Sequence, residues 1–112
     1  MELRDVPGFP GYQVTSEGMI WTKGRAGWMK PAANERGHMY VRPHVGGRPR
    51  KLYLHRAVAL AWIGEQPEGK PFVLHGDGDP SNNHVSNLRW GDQFDNMADM
   101  IEHGNSRLGG KW

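Results

Sequence analysis

The residues that could take part in chemistry cluster in one stretch, Phe72 to Asn96, which reads FVLHGDGDPSNNHVSNLRWGDQFDN. Its side chains are an imidazole at His75, carboxamides at Asn82, Asn83, Asn87 and Asn96, and a carboxylate at Asp77. A neutral imidazole with an ordinary pKa of about 6.5 can take a proton near physiological pH. Carboxamide and carboxylate oxygens suit a hard cation such as Mg²⁺ or Mn²⁺. Local elements must hold these groups. Phe72-Val73-Leu74 is a short apolar run of the kind that makes a buried strand, and it delivers His75 to a turn. Gly76, Asp77, Gly78, Asp79 and Pro80 are turn-making residue types. A polar loop, Ser81 to His84, follows. Val85, Leu88 and Trp90 then alternate with polar residues as a second strand would. Asp92 can cap a helix along which Phe94, Met97, Ala98 and Ile101 recur at helical spacing.

This order of strand, loop, strand and helix resembles the HNH endonucleases, in their phage and intron-homing branch, with the pattern H-x-D-G-[DN]…N-N-x-x-x-N-L-x-W…[DE]-N. His75, Asp77, Gly78, Asp79, Asn82, Asn83, Asn87, Leu88, Trp90 and Asn96 stand at that spacing. The resemblance implies an α+β fold with a ββα-metal motif, hydrolysis of DNA phosphodiester bonds, and a divalent metal ion, Mg²⁺ or Mn²⁺. It implies that His75 is the general base that activates water, so that one metal suffices. It makes Asn87 the middle letter, holding that histidine or its loop, and Asn96 a metal ligand.

The chain departs from relatives that carry a metal-binding Asp or another polar residue just before the first histidine. Here that residue is Leu74, which cannot ligate. A second ligand then has three sources. Asp77 lies two positions after His75, on the same side of an extended chain. His103 lies seven residues after Asn96, on the same helical face. Water is the third. Against the first stands the reading of Asp77 as a plain turn-former. The DGD run lacks the spaced acidic ligands and terminal Glu of an EF-hand. Asn82 and Asn83 read as loop-stabilising residues, and Leu88 and Trp90 as core.

The chain of 112 residues has no cysteine and a formal net charge of +2, which excludes disulfides and Cys-ligated zinc. Its pI of about 9.2 is compatible with a polyanionic partner. The start, Met1-Glu-Leu-Arg-Asp, is charged and breaks at Pro7, unlike a signal peptide, and no apolar run approaches membrane-spanning length. The expected location is the cytoplasm, that of the host cell if the gene belongs to a phage.

Toward the N-terminus, Tyr12–Thr15 and Met19–Trp21 read as a hairpin around Ser16-Glu17-Gly18. Residues 3–21 resemble the small module found ahead of HNH domains in homing nucleases. An ordinary hairpin packed on the core is the simpler alternative. Met39-Tyr40-Val41 and Lys51-Leu52-Tyr53-Leu54 read as strands, separated by a turn at Gly46-Gly47. Arg36, Arg42, Arg48, Arg50, Lys51 and Arg56 cluster here, with no acidic residue between Glu35 and Glu65. Such a run suits DNA phosphates, because counterion release supplies most nonspecific affinity. It equally suits a solvated hairpin with charged edges. His55 to Ile63 reads as a helix ended by Gly64 and Pro67 and resembles the helix that leads into this HNH branch. His55 is either a core histidine or a neighbour of the metal.

These readings divide the chain into a DNA-contacting β-rich module (residues 1–50), a nuclease domain (51–104, with Gly104 as helix C-cap) and a flexible tail (105–112). No second DNA-binding module is expected after it. The function expected is a metal-dependent endonuclease acting on double-stranded DNA in a phage or mobile element, nicking or homing, as a monomer or weak dimer with a possible phage protein partner. The alternative is a DNA-binding or packaging accessory on an HNH scaffold with weak or absent catalysis.

Overall fold

The computed structural model describes residues 2–102, and of residues 98–102 the backbone alone. His103, Gly104 and the tail, weighed above as a ligand, a helix cap and a flexible end, lie outside the described residues.

The N-terminal half is built from short antiparallel strands. A four-stranded sheet runs in the order β1 (Arg4–Asp5), β2 (Tyr12–Val14), β3 (Ile20–Thr22) and β4 (Gly27–Trp28). Val14 pairs with Ile20 at the closed end of the β2–β3 hairpin. The turn beyond is shaped by Thr15, whose buried Oγ1 accepts from the amides of Glu17 at 3.3 Å and Met19 at 3.1 Å. Gly18 closes it at φ +95°, a conformation that side chains rarely adopt. β5 (Ala32–Ala33), β6 (Met39–Val41) and β9 (Leu52–Tyr53) form a second sheet. Between β6 and β9, the hairpin of β7 (His44–Val45) and β8 (Arg48–Pro49) turns at Gly46-Gly47 as its sequence expects.

The chain turns helical one residue earlier than the sequence pattern suggests. Leu54 begins α1 (Leu54–Val58) rather than ending a strand, because its side chain packs into the core from the helix. Over Ala59–Ile63 the helix widens into a π turn, and the Gly64 amide reaches back to the Ala59 carbonyl at 2.9 Å. Two indoles fasten it. Trp62 Nε1 donates to the Val14 carbonyl at 3.0 Å, and Trp90 Nε1 to that of Gly64 at 3.2 Å.

β10 (Phe72–His75) and β11 (Leu88–Gly91) pair antiparallel, and α2 (Gln93–Glu102) follows. Val85 does not join the second strand. Val85–Asn87 is a 3₁₀ turn, because the Val85 amide is drawn to the Ser16 carbonyl at 2.7 Å. Asp92 caps α2 as expected: its Oδ1 accepts from the Asp95 amide, and Asp95 Oδ2 accepts from the Asp92 amide. The apolar core joins Val14, Ile20 and Val41 to Leu54, Val58, Val73 and Trp90, so the two halves share one interior. The pairs Tyr40–Tyr53 and Val41–Leu52 likewise link strands on either side of residue 50. No described helix is long and apolar enough to cross a membrane.

Three imidazoles lie buried beside this core. His38, just before β6, His55 on α1 and His75 at the end of β10 are 2, 4 and 6% exposed. Their ring centroids are 5.2 to 6.0 Å apart. Burial, with His75, His38 and Arg56 around it, pushes the pKa of His55 from 6.5 down to about 3. The unfolded chain gains that proton below pH 6.5, whereas the folded chain resists it down to about 3. Between those values the unfolded state binds more protons, so stability falls as pH falls. The lowered Asp77 carboxyl acts in the same direction only below its ordinary value of 3.8. The melting temperature should therefore drop between about pH 7 and pH 5. His55→Phe, which keeps a ring but binds no proton, should lessen that drop and leave the part that the lowered His75 contributes. Thermal unfolding followed by circular dichroism tests this, and an unchanged slope in the variant would remove His55 as its source.

Candidate active site

His75 is delivered to the site by the last residue pair of the β10–β11 ladder, where it faces Leu88 across the strands. Its Nε2 lies 2.9 Å from Asn83 Oδ1 in a buried hydrogen bond. An amide oxygen can only accept, so Nε2 carries the hydrogen and Nδ1 keeps its lone pair. That Nδ1 is enclosed and has no partner. Burial pushes the His75 pKa down. The Asn83 bond and the carboxylates of Asp77 and Asp79 pull it back up, while His38 pushes down with burial. The arrangement is a neutral imidazole in one tautomer, with an unpartnered acceptor nitrogen that is enclosed in the free chain.

The loop that follows is organised by Asp77 and Asn87. Asp77 Oδ1 accepts from the Asp79 amide at 2.8 Å and from Asn87 Nδ2 at 3.0 Å. Its Oδ2 accepts from Asn82 Nδ2 at 2.8 Å. Asn87 Oδ1 in turn accepts from the Asp77 amide, and Asn87 Nδ2 also donates to the Asn82 carbonyl. Asn82 heads the contacts, with Asp79 and Asn87, that lower the Asp77 carboxyl to about 2. Of the two readings of Asp77, this geometry supports the turn-former, because both oxygens already serve loop donors. Asn87 ties the loop through these bonds. The histidine's own hydrogen-bond partner is Asn83, which the sequence marked only as loop-stabilising.

Asn96 sits on α2, and its buried Oδ1 has no partner. An orphaned carbonyl oxygen fits a hard cation. Leu74 is buried nearby, against the strand–helix junction. A Cβ built on Gly91 would stand 2.5 Å from Leu74 Cδ1 and 3.1 Å from Asp95 Cβ. Among the described residues no group of three or more His, Cys, Asp or Glu side chains is arranged to hold a metal ion. Among the described residues, the orphaned Asn96 oxygen is thus the donor of the expected set left free for a cation.

The basic residues separate into two groups. Arg36, Arg42, Arg48, Arg50 and Lys51 are exposed. Lys51 Nζ lies over the rings of Tyr40 and Tyr53, at 4.6 and 5.6 Å, and Arg42 over Tyr40 at 5.6 Å. Arg50 lies over Phe9. Arg56 is committed within the fold: it donates to the Pro71 carbonyl and to Gln66 and lies over Trp90. A cavity of about 700 Å³ adds basic residues that sequence reading did not single out, Arg25, Lys30 and His44, beside Arg42, Tyr12 and Trp28. Their signal was the glycine- and cation-rich composition of residues 23–51, too diffuse to name individual side chains.

A family model described as HNH endonuclease matches residues 52–98. Among curated proteins, the chain is 30% identical over 91 residues to the uncharacterized HNH endonuclease L245 of Acanthamoeba polyphaga mimivirus. That alignment covers 81% of this chain and 27% of the relative. It is also 30% identical over 105 residues to the DNA endonuclease I-HmuI of Bacillus phage SP01, covering 93% of this chain and 60% of that enzyme. The chain thus spans about a quarter of the first relative's length and less than two thirds of the second's. The structure of the homing endonuclease I-HmuI, solved for DNA binding and cleavage, superposes with a TM-score of 0.83 over 94% of this chain and 60% of its own, at 30% identity. Residues 52–98 therefore match the HNH endonuclease family model, and the chain is a homologue of I-HmuI with the same α+β fold.

Proposed function

We propose that this chain is a DNA endonuclease that hydrolyses phosphodiester bonds, with His75 as general base. The observation that carries the reading is the His75 ring, held through Nε2 by Asn83 and left with an unpartnered acceptor at Nδ1. Nδ1 is enclosed in the free chain, so the loop must open it to water when DNA binds; that water then gives up its proton to Nδ1 as its oxygen attacks phosphorus, and the 3′ oxygen departs with the electrons of the broken P–O bond. Asn83 Oδ1 stays on the Nε2 hydrogen and stabilises the imidazolium that forms. Asn87 acts through Asp77 to keep the loop closed under the histidine. Asn96 would hold a divalent cation, Mg²⁺ or Mn²⁺, which when bound offsets charge on the phosphate and the leaving oxygen. Arg36, Arg42, Arg48, Arg50 and Lys51 bind the backbone of double-stranded DNA, and Arg56 supports the fold. The similarity to I-HmuI, a phage DNA endonuclease of the homing type, favours a phage or mobile-element nuclease of the nicking or homing type. The second reading is a DNA-binding protein with little catalysis, and Leu74 is the feature that favours it.

His75→Ala should lower plasmid cleavage about 10²- to 10⁴-fold while DNA affinity stays near wild type. Cleavage at the wild-type rate would remove His75 from the role of base. Gel-based nicking beside a binding titration separates the two effects.

Metal requirement follows from ligand count. Leu74→Asp should lower the Mg²⁺ or Mn²⁺ concentration for half-maximal nicking, since a charged oxygen joins that of Asn96. Asp77→Asn should slow cleavage by loosening the loop and leave the metal midpoint unchanged. A raised midpoint in Asp77→Asn would instead make Asp77 a ligand.

Replacing Arg42, Arg48 and Lys51 with Ala should weaken binding to unrelated sequences alike. It should flatten the slope of log K against log salt by about 0.9 per lost phosphate contact. Arg56→Ala should leave that slope alone and lower the melting temperature. The reverse pattern would exchange their roles.

A further inference from the structure

The N-terminal hairpin reaches the candidate base. Gly18, at the tip of the β2–β3 turn, lies against Asn83. A Cβ on Gly18 would stand 3.0 Å from Asn83 Cβ, 3.5 Å from the Asn83 carbonyl oxygen and 3.7 Å from Val58 Cγ2. Two residues away, the Ser16 carbonyl takes the Val85 amide at 2.7 Å, pinning the same loop from its other side. A second turn repeats the pattern, since a Cβ on Gly37 would stand 3.2 Å from Pro80 Cγ. Asn83 is buried, and its one side-chain oxygen meets His75 Nε2. The backbone of the hairpin is thus the wall against which the histidine's partner is seated.

We infer that Gly18 is a positioning residue: the β2–β3 turn fixes Asn83, and through it the orientation and tautomer of His75. The inference rests on the reading of His75 as general base for its kinetic consequence, though not for its structural one. It gives residues 1–50 a part in aligning the catalytic group besides contact with DNA. The physical reason is the closeness of the seat. A Cβ added at Gly18 would meet the Cβ and the backbone carbonyl of Asn83, which are not the far end of a flexible side chain that could absorb a shift. An added methyl at Gly18 must displace Asn83 or the turn, and small misplacements of a catalytic group can cost up to about 10²-fold in rate.

The test uses the full chain. Gly18→Ala should lower kcat for plasmid nicking by about tenfold with the KM for DNA unchanged. In an Asn83→Ala background, where the bond to His75 is already gone, the same substitution should have little further effect on kcat. Thr15→Val supplies a second route if Gly18→Ala does not fold, because it removes the hydroxyl that shapes the turn and keeps the side-chain volume. Nitrogen-15 NMR of the His75 ring gives a readout independent of cleavage: one Nε2–H tautomer in the wild type, and a mixture in Gly18→Ala and Thr15→Val. A folded Gly18→Ala protein with full kcat and a single tautomer would overturn the inference, as would losses from Gly18→Ala and Asn83→Ala that simply multiply. If His75→Ala cleaves like the wild type, the assignment of the base fails instead, and the tautomer measurement alone decides whether Gly18 positions His75.

Discussion

The site depends on one buried hydrogen bond, between His75 Nε2 and Asn83 Oδ1. An imidazole has two equivalent-looking nitrogens, and a base needs one specified as acceptor. An amide oxygen settles this, because it cannot donate. The bond is buried, so water does not compete for either partner, and breaking it would strand a polar group without solvent. The ring also lies among two others. His38 stacks nearly parallel to it, with an interplanar angle of 21°, and His55 lies at 58°. A ring held by one directional bond and flanked by two others has little freedom to turn.

The same surroundings decide its charge. Desolvation works against imidazolium, and the neighbouring imidazole of His38 adds to it, whereas the Asn83 bond and the carboxylates of Asp77 and Asp79 favour the cation. Burial wins, because both carboxylates are exposed and solvent screens them. Asp77 is further occupied by three donors, so its charge is spread into the loop rather than aimed at the ring. The carboxylate that looks like a ligand in sequence also ties together the loop that follows the histidine.

The parts of this site legible in the sequence were those encoded by neighbours along the chain. The apolar run ending in His75, the glycine- and aspartate-rich turn, the Asp92 cap and the Gly46-Gly47 turn each follow from local residue types. What escaped depends on contacts between distant segments. Asn83 and Asn87 are the same residue type four positions apart, and only the path of the folded loop turns one toward the ring and the other into the turn. Val85 alternates correctly for a strand, yet the Ser16 carbonyl, far away in sequence, captures its amide. His38 shows no local reason to stack on a residue in another element. Arg56 belongs to a cationic run by composition, and its attachment to Pro71, Gln66 and Trp90 appears only in three dimensions.

Leu74 joins these threads. Its strand neighbours Val73 and His75 are committed to the core and to the imidazole cluster, so its own side chain goes to the opposite face. There it fills the space that Gly91 leaves empty, and the Asp95 Cβ borders the same space. Leucine and glycine are complementary at this junction: the large side chain is accommodated because its neighbour has none. A carboxylate at position 74 would exchange that packing for charge in a buried setting beside Asp95, a combination that is favourable only with a cation present. Packing prevails in this chain, and Asn96 is left with an uncharged oxygen that has no protein donor. A cation held through that single neutral oxygen would draw the rest of its shell from water and from the phosphate oxygens of DNA. Metal and DNA would then strengthen each other's binding, since each supplies part of the other's contacts.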